Sequence, residues 1–262
     1  MKHAFVIPAY KESPYLATCI ESLLSQKRQD SLLKITTSTP CTFLDRIADN
    51  YHIPLEVNPN PAGIAADWNF ALNASNAELV TLAHQDDVYD EHYTELMRAA
   101  IRSHPRAILV FSDFQELTPF GPRPANLNIR IKRMLCARAF GAIDALDTRR
   151  TKRRLLSLGN PVCCPSVLIH RANVPAFCFT SGLKSNLDWE AWTRMADVPG
   201  QFVYVRNALV SKRIHVESET SVLIARRDRR DEDQYMFERF WSKPVAAVIT
   251  SVYKLGYLGN RV

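Results

Sequence analysis

The stretch that most constrains this chain is Leu79-Val80-Thr81-Leu82-Ala83-His84-Gln85-Asp86-Asp87, an apolar run that ends in two adjacent carboxylates. Such a run reads as a buried strand delivering Asp86 and Asp87 to the carboxyl edge of a sheet, where α/β proteins keep their ligands. A helix signal follows at once. From Asp90 as N-cap, Tyr93, Leu96, Met97, Ala100 and Ile101 fall on one apolar face. The acids therefore sit in the turn between strand and helix. Two neighbouring carboxylates repel unless a cation or strong donors satisfy them, and oxygen ligands of this kind suit Mg²⁺ or Mn²⁺ held jointly with a substrate's phosphates. An Asp-Asp pair can equally cap a surface helix, and this stretch alone leaves both readings open.

Around that turn the pattern is α/β. His3 to Pro8, Leu32 to Thr37, Ile53 to Val57 and Arg106 to Ser112 read as strands. Helical stripes lie between them, over Leu16 to Leu24, Phe43 to Tyr51 and Ile64 to Ser75. Ser13-Pro14 predicts the start of the first helix, with serine as N-cap and proline at N1. Alternating strands and helices imply a mainly parallel sheet flanked by helices. The turn after the first strand, Pro8-Ala9-Tyr10, then presents an aromatic ring at the same edge as the acids.

In the second half, Gly159 to Ser166 is a rigid turn feeding a strand over Val167 to His170. Trp189 and Trp192 could form an apolar platform for a sugar ring, or be core, because with Leu187 and Met195 they recur near helical spacing. Asp188 could cap a helix or do chemistry, and His215 could be a ligand or a satisfied histidine after a strand. From Arg226 to Asp233 charges dominate. An aromatic-rich tail follows to Tyr257, which either lies on a membrane or partner surface or packs back onto the rest of the chain.

The net charge of +6 is concentrated between Gly121 and Asn160, where ten basic residues face only Asp144 and Asp147. A patch of this kind suits anionic lipid, phosphate groups or nucleic acid, or is a solvated helix face. Few aromatics interleave it, so nucleic acid is not the expected partner. No apolar run approaches the roughly 18 residues of a spanning helix, and six scattered cysteines form no C-x-x-C pair. A cytoplasmic protein with reduced core thiols is expected, with peripheral contact at the inner face of the membrane through the basic segment.

Three motifs in order, Ile7-Pro8-Ala9-Tyr10, Gly63-Ile64-Ala65-Ala66-Asp67-Trp68-Asn69 and His84-Gln85-Asp86-Asp87, resemble those of the family 2 glycosyltransferases. Two later segments extend the likeness. Leu187-Asp188-Trp189-Glu190-Ala191-Trp192 is similar to the family's acidic acceptor-side motif, and Lys212-Arg213-Ile214-His215, with Ser218 and Thr220 behind it, is similar to its Arg-x-His segment. The resemblance implies a GT-A fold and an inverting enzyme. Residues 1–115 would form a nucleotide-sugar-binding half, 116–225 an acceptor-binding half with the basic segment, and 226–262 a helical tail, all within one catalytic domain.

It further implies that Pro8, Ala9, Tyr10, Thr37, Asn69 and Asp86 border the nucleotide sugar, with Tyr10 stacked on the base. Asp86, Asp87 and His215 would hold Mn²⁺ or Mg²⁺, Asp188 would be the general base, and Trp189 and Trp192 would line the acceptor site. The sequence departs from the family at two places. His84 stands where the leading Asp of D-x-D is usual, so that metal coordination rests on the following acids alone or includes an imidazole, and Thr36-Thr37-Ser38-Thr39 stands where Asp-Asp often holds base and ribose. The expected activity is transfer of a sugar, with UDP as the expected carrier, to a hydroxyl of a glycan or lipid-linked acceptor in cell-surface polysaccharide synthesis. The rival activities are a metal-dependent phosphoesterase built on His84, Asp86, Asp87 and His215, and a non-enzymatic nucleic-acid-binding protein.

Overall fold

Strands β1 (His3–Ala9) and β4 (Leu79–Leu82) are apolar at almost every position, which suits strands covered on both faces. In β1, Ala4 and Val6 enter one core while Phe5, Ile7 and Ala9 enter the other. The computed structural model describes residues 1–61, 63–215 and 229–253. Ser218, Thr220, Arg226 and Tyr257, all singled out in the sequence, lie outside the described residues.

The sheet order is β3-β2-β1-β4-β9-β6-β10-β5, with β2 spanning Leu32–Thr37, β3 Leu55–Val57, β5 Val88–Tyr89, β6 Ala107–Thr118, β9 Val167–His170 and β10 Gln201–Arg213. Strands β3, β2, β1 and β4 are parallel, and β10 runs parallel to β6. Strand β9 is antiparallel to both β4 and β6, and so locks the second half of the chain into the sheet of the first. Residues 1–115 and 116–225 therefore share one sheet. Two small strands complete it, β7 (Gly121–Arg123) on β6 and β8 (Ala145–Leu146) on β10.

Helices α1 (Leu16–Leu24), α2 (Thr42–Tyr51) and α4 (Tyr93–Ser103) cover one face. On the other lie α3 (Ile64–Asn73), α6 (Arg149–Leu156), α7 (Leu187–Ala196), α8 (Arg229–Glu238) and α9 (Lys243–Tyr253). Helix α5 (Leu127–Phe140) contributes Ile129 to the first core and Cys136 and Phe140 to the second. The C-terminal helices pack back onto the domain, since Met236, Phe237 and Ala246 are fully buried.

Two helix starts differ from expectation. Ser13 Oγ accepts from the Tyr15 N–H, so Ser13-Pro14 forms a lead-in turn and α1 begins at Leu16. Strand β5 intervenes between the acids and α4. Asp90 Oδ1 accepts from the His92 N–H, ahead of a helix that starts at Tyr93.

Inside the sheet, His3 bridges Ser31 Oγ at 2.8 Å and Thr81 Oγ1 at 3.1 Å, and Thr81 meets the Tyr93 hydroxyl at 3.1 Å. Burial, aided by the Arg98 charge, pushes the His3 imidazole down to about 3 from an ordinary 6.5. The unfolded chain then binds a proton as pH falls through 6.5 while the folded chain does not until about 3. Stability from this site is thus present above 6.5 and drains away below it. Denaturant unfolding should lose about 2 kcal/mol from this histidine between about pH 7 and about pH 5. The variant His3→Gln should shrink that loss by a similar amount, and an unchanged pH dependence in the variant would contradict the assignment.

Candidate active site

Strand β4 ends with the Ala83 N–H donating to Val6 O at 2.9 Å, and the turn His84-Gln85-Asp86-Asp87 closes through the Asp87 N–H to His84 O at 3.2 Å. Strand β5 then pairs antiparallel with β10, Tyr89 against Val210 and Val88 against Ser211. That pairing brings the end of β10 over the acids. The Arg213 N–H donates to Asp87 Oδ1 at 2.8 Å, its Nε–H donates to Asp86 O at 2.9 Å, and His215 Nε2 lies 3.0 Å from Asp86 Oδ2. Tyr15 supports this arm, its ring 4.4 Å beneath the Arg213 guanidinium and 5.1 Å from the His215 ring.

The electrostatics of the two acids diverge. Burial pushes the Asp87 carboxyl well above the usual carboxylate range, and the charge on Asp86 adds to this. Burial alone would raise Asp86 too, but the hydrogen bond from His215 and the neighbouring imidazoles outweigh it and hold that carboxyl below its ordinary value. A cation would relieve the strain on the pair.

The residues present fit a divalent ion. His84 Nε2 is shielded from solvent without a hydrogen-bond partner, and His84, Asp86 and Asp87 each offer a ligand atom within 4.8 Å of the others. Burial pushes the His84 imidazole down to about 4, so at neutral pH it is uncharged and able to ligate. One nitrogen and two carboxylate oxygens suit Mn²⁺ better than Mg²⁺. Of the two imidazoles, His84 lies in the cluster with both acids, while His215 Nε2 is hydrogen-bonded to Asp86.

Around the acids, Gln85 brackets the first strand's turn. Its Oε1 accepts from the Tyr10 N–H at 3.0 Å and its Nε2 donates to Tyr10 O at 3.2 Å. Tyr10 is left half exposed, and Lys11 beside it takes a left-handed φ of 56° while its N–H donates to Thr39 Oγ1 at 2.7 Å. Pro8 and the buried Ala9 lie within β1.

Two expected nucleotide contacts are occupied elsewhere. Thr37 is buried and turns its hydroxyl to the Thr39 N–H, so it shapes the turn rather than facing a ligand. Asn69 donates to Phe179 O and accepts from the Phe179 N–H, both at 2.7 Å, clamping α3 to the second half of the chain. The carboxylate at this corner is Asp67, which accepts from Ser38 Oγ and from Asn58 Nδ2 at 2.9 Å each.

On the far side, Asp188 stands in the first turn of α7. Its Oδ1 accepts from the Trp189 N–H at 2.7 Å and its Oδ2 from Asn160 Nδ2 at 2.9 Å. Burial pushes the Cys163 thiol up to about 12, with Lys212 and Lys132 opposing the rise and Asp87 and Asp188 adding to it. The loop into α7 is held by Glu232, whose carboxylate takes the N–H groups of Lys184, Ser185 and Asn186 and the Ser185 hydroxyl.

Trp189 and Trp192 are fully buried, which corrects their expected role as a sugar platform. Trp189 donates to Leu156 O and packs edge-on to Phe237, while Trp192 stacks on Phe177. They are core because α7 is sandwiched between the sheet and the C-terminal helices. Of the residues that shape the site, the sequence did not single out Gln85, Tyr15, Asn160, Arg213 and Glu232. Gln85, Asn160 and Arg213 lie inside segments picked out there, and their type and position within them were the signal that could have found them.

The architecture is similar to several solved structures. One is TarS 1-349 of S. aureus in complex with UDP-GlcNAc, at TM-score 0.68 and 15% identity, covering 99% of this chain and 73% of that one. A second is the mannosyltransferase PcManGT from Pyrobaculum calidifontis in complex with GDP-Man and Mn²⁺, at TM-score 0.60 and 11% identity, covering 96% and 73%. A third is glucosyl-3-phosphoglycerate synthase from Mycobacterium tuberculosis, at TM-score 0.55 and 14% identity, covering 86% and 78%. At these identities the likeness shows the fold, a GT-A type α/β arrangement. No curated protein matches the sequence. The sequence pattern of Glycosyl transferase family 2 matches residues 4–166, which run from β1 through the acid turn to the turn before β9. That span is more than half of the chain and includes His84, Asp86 and Asp87, and the chain belongs to glycosyl transferase family 2.

Proposed function

We propose that the protein is an inverting glycosyltransferase that moves a sugar from a nucleotide diphosphate, UDP in the first instance, to a hydroxyl of a glycan or lipid-linked acceptor. The observation that carries the reading is the acid turn, where a neutral, partly buried imidazole whose Nε2 has no hydrogen-bond partner and two carboxyls of divergent acidity meet at the carboxyl edge of the sheet. Among neighbours of the same fold, TarS is in complex with UDP-GlcNAc and PcManGT with GDP-Man and Mn²⁺.

His84, Asp86 and Asp87 would hold the divalent ion, which when bound offsets the charge that develops on the leaving diphosphate. The half-exposed Tyr10 ring offers a stacking face for the base. Asp188 takes the proton of the acceptor hydroxyl as that oxygen bonds to the donor's anomeric carbon and the bond to the diphosphate breaks. The attack comes from the face opposite the leaving group, so the configuration inverts. Asn160 holds Asp188 Oδ2. Its neighbour Glu190 is less suited as base, because Arg194, Arg239 and the Thr180 hydroxyl already engage its carboxylate. Family membership supports this reading over the phosphoesterase and nucleic-acid ones.

Two predictions follow from these roles. Asp87→Asn and His84→Ala should each weaken Mn²⁺ binding, measured by calorimetry on the folded variants, by at least about tenfold. Unchanged affinity in both would remove the cluster as a metal site. Asp188→Asn should lower kcat by roughly 10²-fold while affinity for the nucleotide sugar stays at the parent's level. Proton NMR of the product should report an inverted anomeric centre. Normal turnover in this variant would exclude Asp188 as base, and a retained configuration would exclude single displacement.

A further inference from the structure

The hairpin joining β6 to β7 carries Phe120 at its tip, fully exposed to solvent. Helix α5 follows directly and keeps Leu127 64% and Met134 60% exposed. Spaced seven apart, these two share one helical face with Arg138, and Arg130 borders it. Between Thr118 and Ile143 the chain has five cations, Arg123, Arg130, Lys132, Arg133 and Arg138, and no acid. Arg123 pairs with Glu116 and Arg133 with Asp113 at 2.8 Å, which leaves Arg130 and Arg138 exposed beside the apolar side chains. Apolar and aromatic side chains fringed by such arginines match a surface that inserts shallowly among anionic headgroups.

The basic helix α6 fits that role less well. Arg149 pairs with Asp197 at 2.7 Å, Arg153 donates to Arg239 O, and the buried Lys152 donates to Val198 O and Gly200 O. Those cations are spent in tying α6 to the turn after α7 and to the end of α8.

The hairpin also has a telling address. Strand β6 runs parallel to β10 with Leu117 opposite Arg213, and the Ile214 N–H donates to Leu117 O at 2.9 Å. Phe120 thus emerges beside the arm that carries Arg213 and His215, at the edge that holds the acid turn.

We propose that Phe120 and the outward face of α5, with Leu127, Met134, Arg130 and Arg138, dock on an anionic phospholipid bilayer. The contact sets the catalytic edge at the membrane surface, where an acceptor carried on lipid would present its hydroxyl. Its value for catalysis rests on the glycosyltransferase reading, whereas the docking itself does not.

The test is co-sedimentation of the full chain with vesicles of phosphatidylcholine containing phosphatidylglycerol, against phosphatidylcholine alone. Binding is expected to the anionic vesicles and to fall with salt. Phe120→Ser with Leu127→Ser, and separately Arg130→Glu with Arg138→Glu, should each weaken it by at least about tenfold. Both pairs are exposed, and thermal unfolding with and without nucleotide sugar on the same samples separates loss of docking from loss of the donor site. Tryptophan fluorescence of Phe120→Trp should be quenched by brominated lipid relative to the parent. Three results would overturn the proposal: no binding by the parent, unquenched Trp at position 120, or loss of binding only on Val248→Ser, which alters the exposed apolar side of α9. Concentration-dependent dimerisation abolished by Phe120→Ser, without vesicle binding, would assign the face to a second copy of the chain instead.

Discussion

The active edge depends on one hydrogen bond, from the Arg213 backbone to the Asp87 carboxylate. Asp87 is 2% exposed, and burial this deep disfavours its charged form unless donors or a cation compensate it. The donor comes from 126 residues along the chain. It arrives because β10 is paired to β6 on one side and to β5 on the other. The Arg213 guanidinium on Asp86 O and His215 on the Asp86 carboxylate make the same junction three-fold. The acid turn is therefore preorganised by the second half of the sheet, as a site that binds charge in a low-dielectric edge requires.

The start of α7 obeys a parallel logic. Asp188 opens a helix whose other positions are nearly all buried, so its freedom is set by what surrounds α7 rather than by α7 itself. Asn160 fixes one carboxylate oxygen, and Glu232 from the C-terminal helices gathers three backbone N–H groups of the preceding loop. Trp189 against Phe237 carries the apolar half of the same contact. Helices α8 and α9 are thus part of the scaffold that holds Asp188 in place, and truncating them would act on it through the 184–186 loop.

The parallel half of the fold was legible because strands buried on both faces are written as continuous apolar runs. The strands β1 and β4 needed little else. Strand β5 was not legible, since two residues carry no periodicity, and the antiparallel insertion of β9 is a matter of long-range pairing. At the site, the carboxylates and Tyr10 announced themselves by type and position. The division of labour between His84 and His215 did not, because it turns on which imidazole lacks a partner once folded. The tryptophans misled for a physical reason. An aromatic pair beside an acid has the same spacing whether the helix is covered on one side or on both, and only the docking of α8 and α9 decided it.

The central claim is that this edge binds a nucleotide diphosphate and a divalent cation together. Thermal unfolding with a panel of nucleotide sugars, each with Mn²⁺ and with chelator, tests it most directly, because a ligand that binds only the folded chain raises its Tm by mass action. The account predicts that one nucleotide sugar raises Tm strongly with Mn²⁺ and little with chelator. A panel without any shift, or a shift of equal size with chelator, would contradict it.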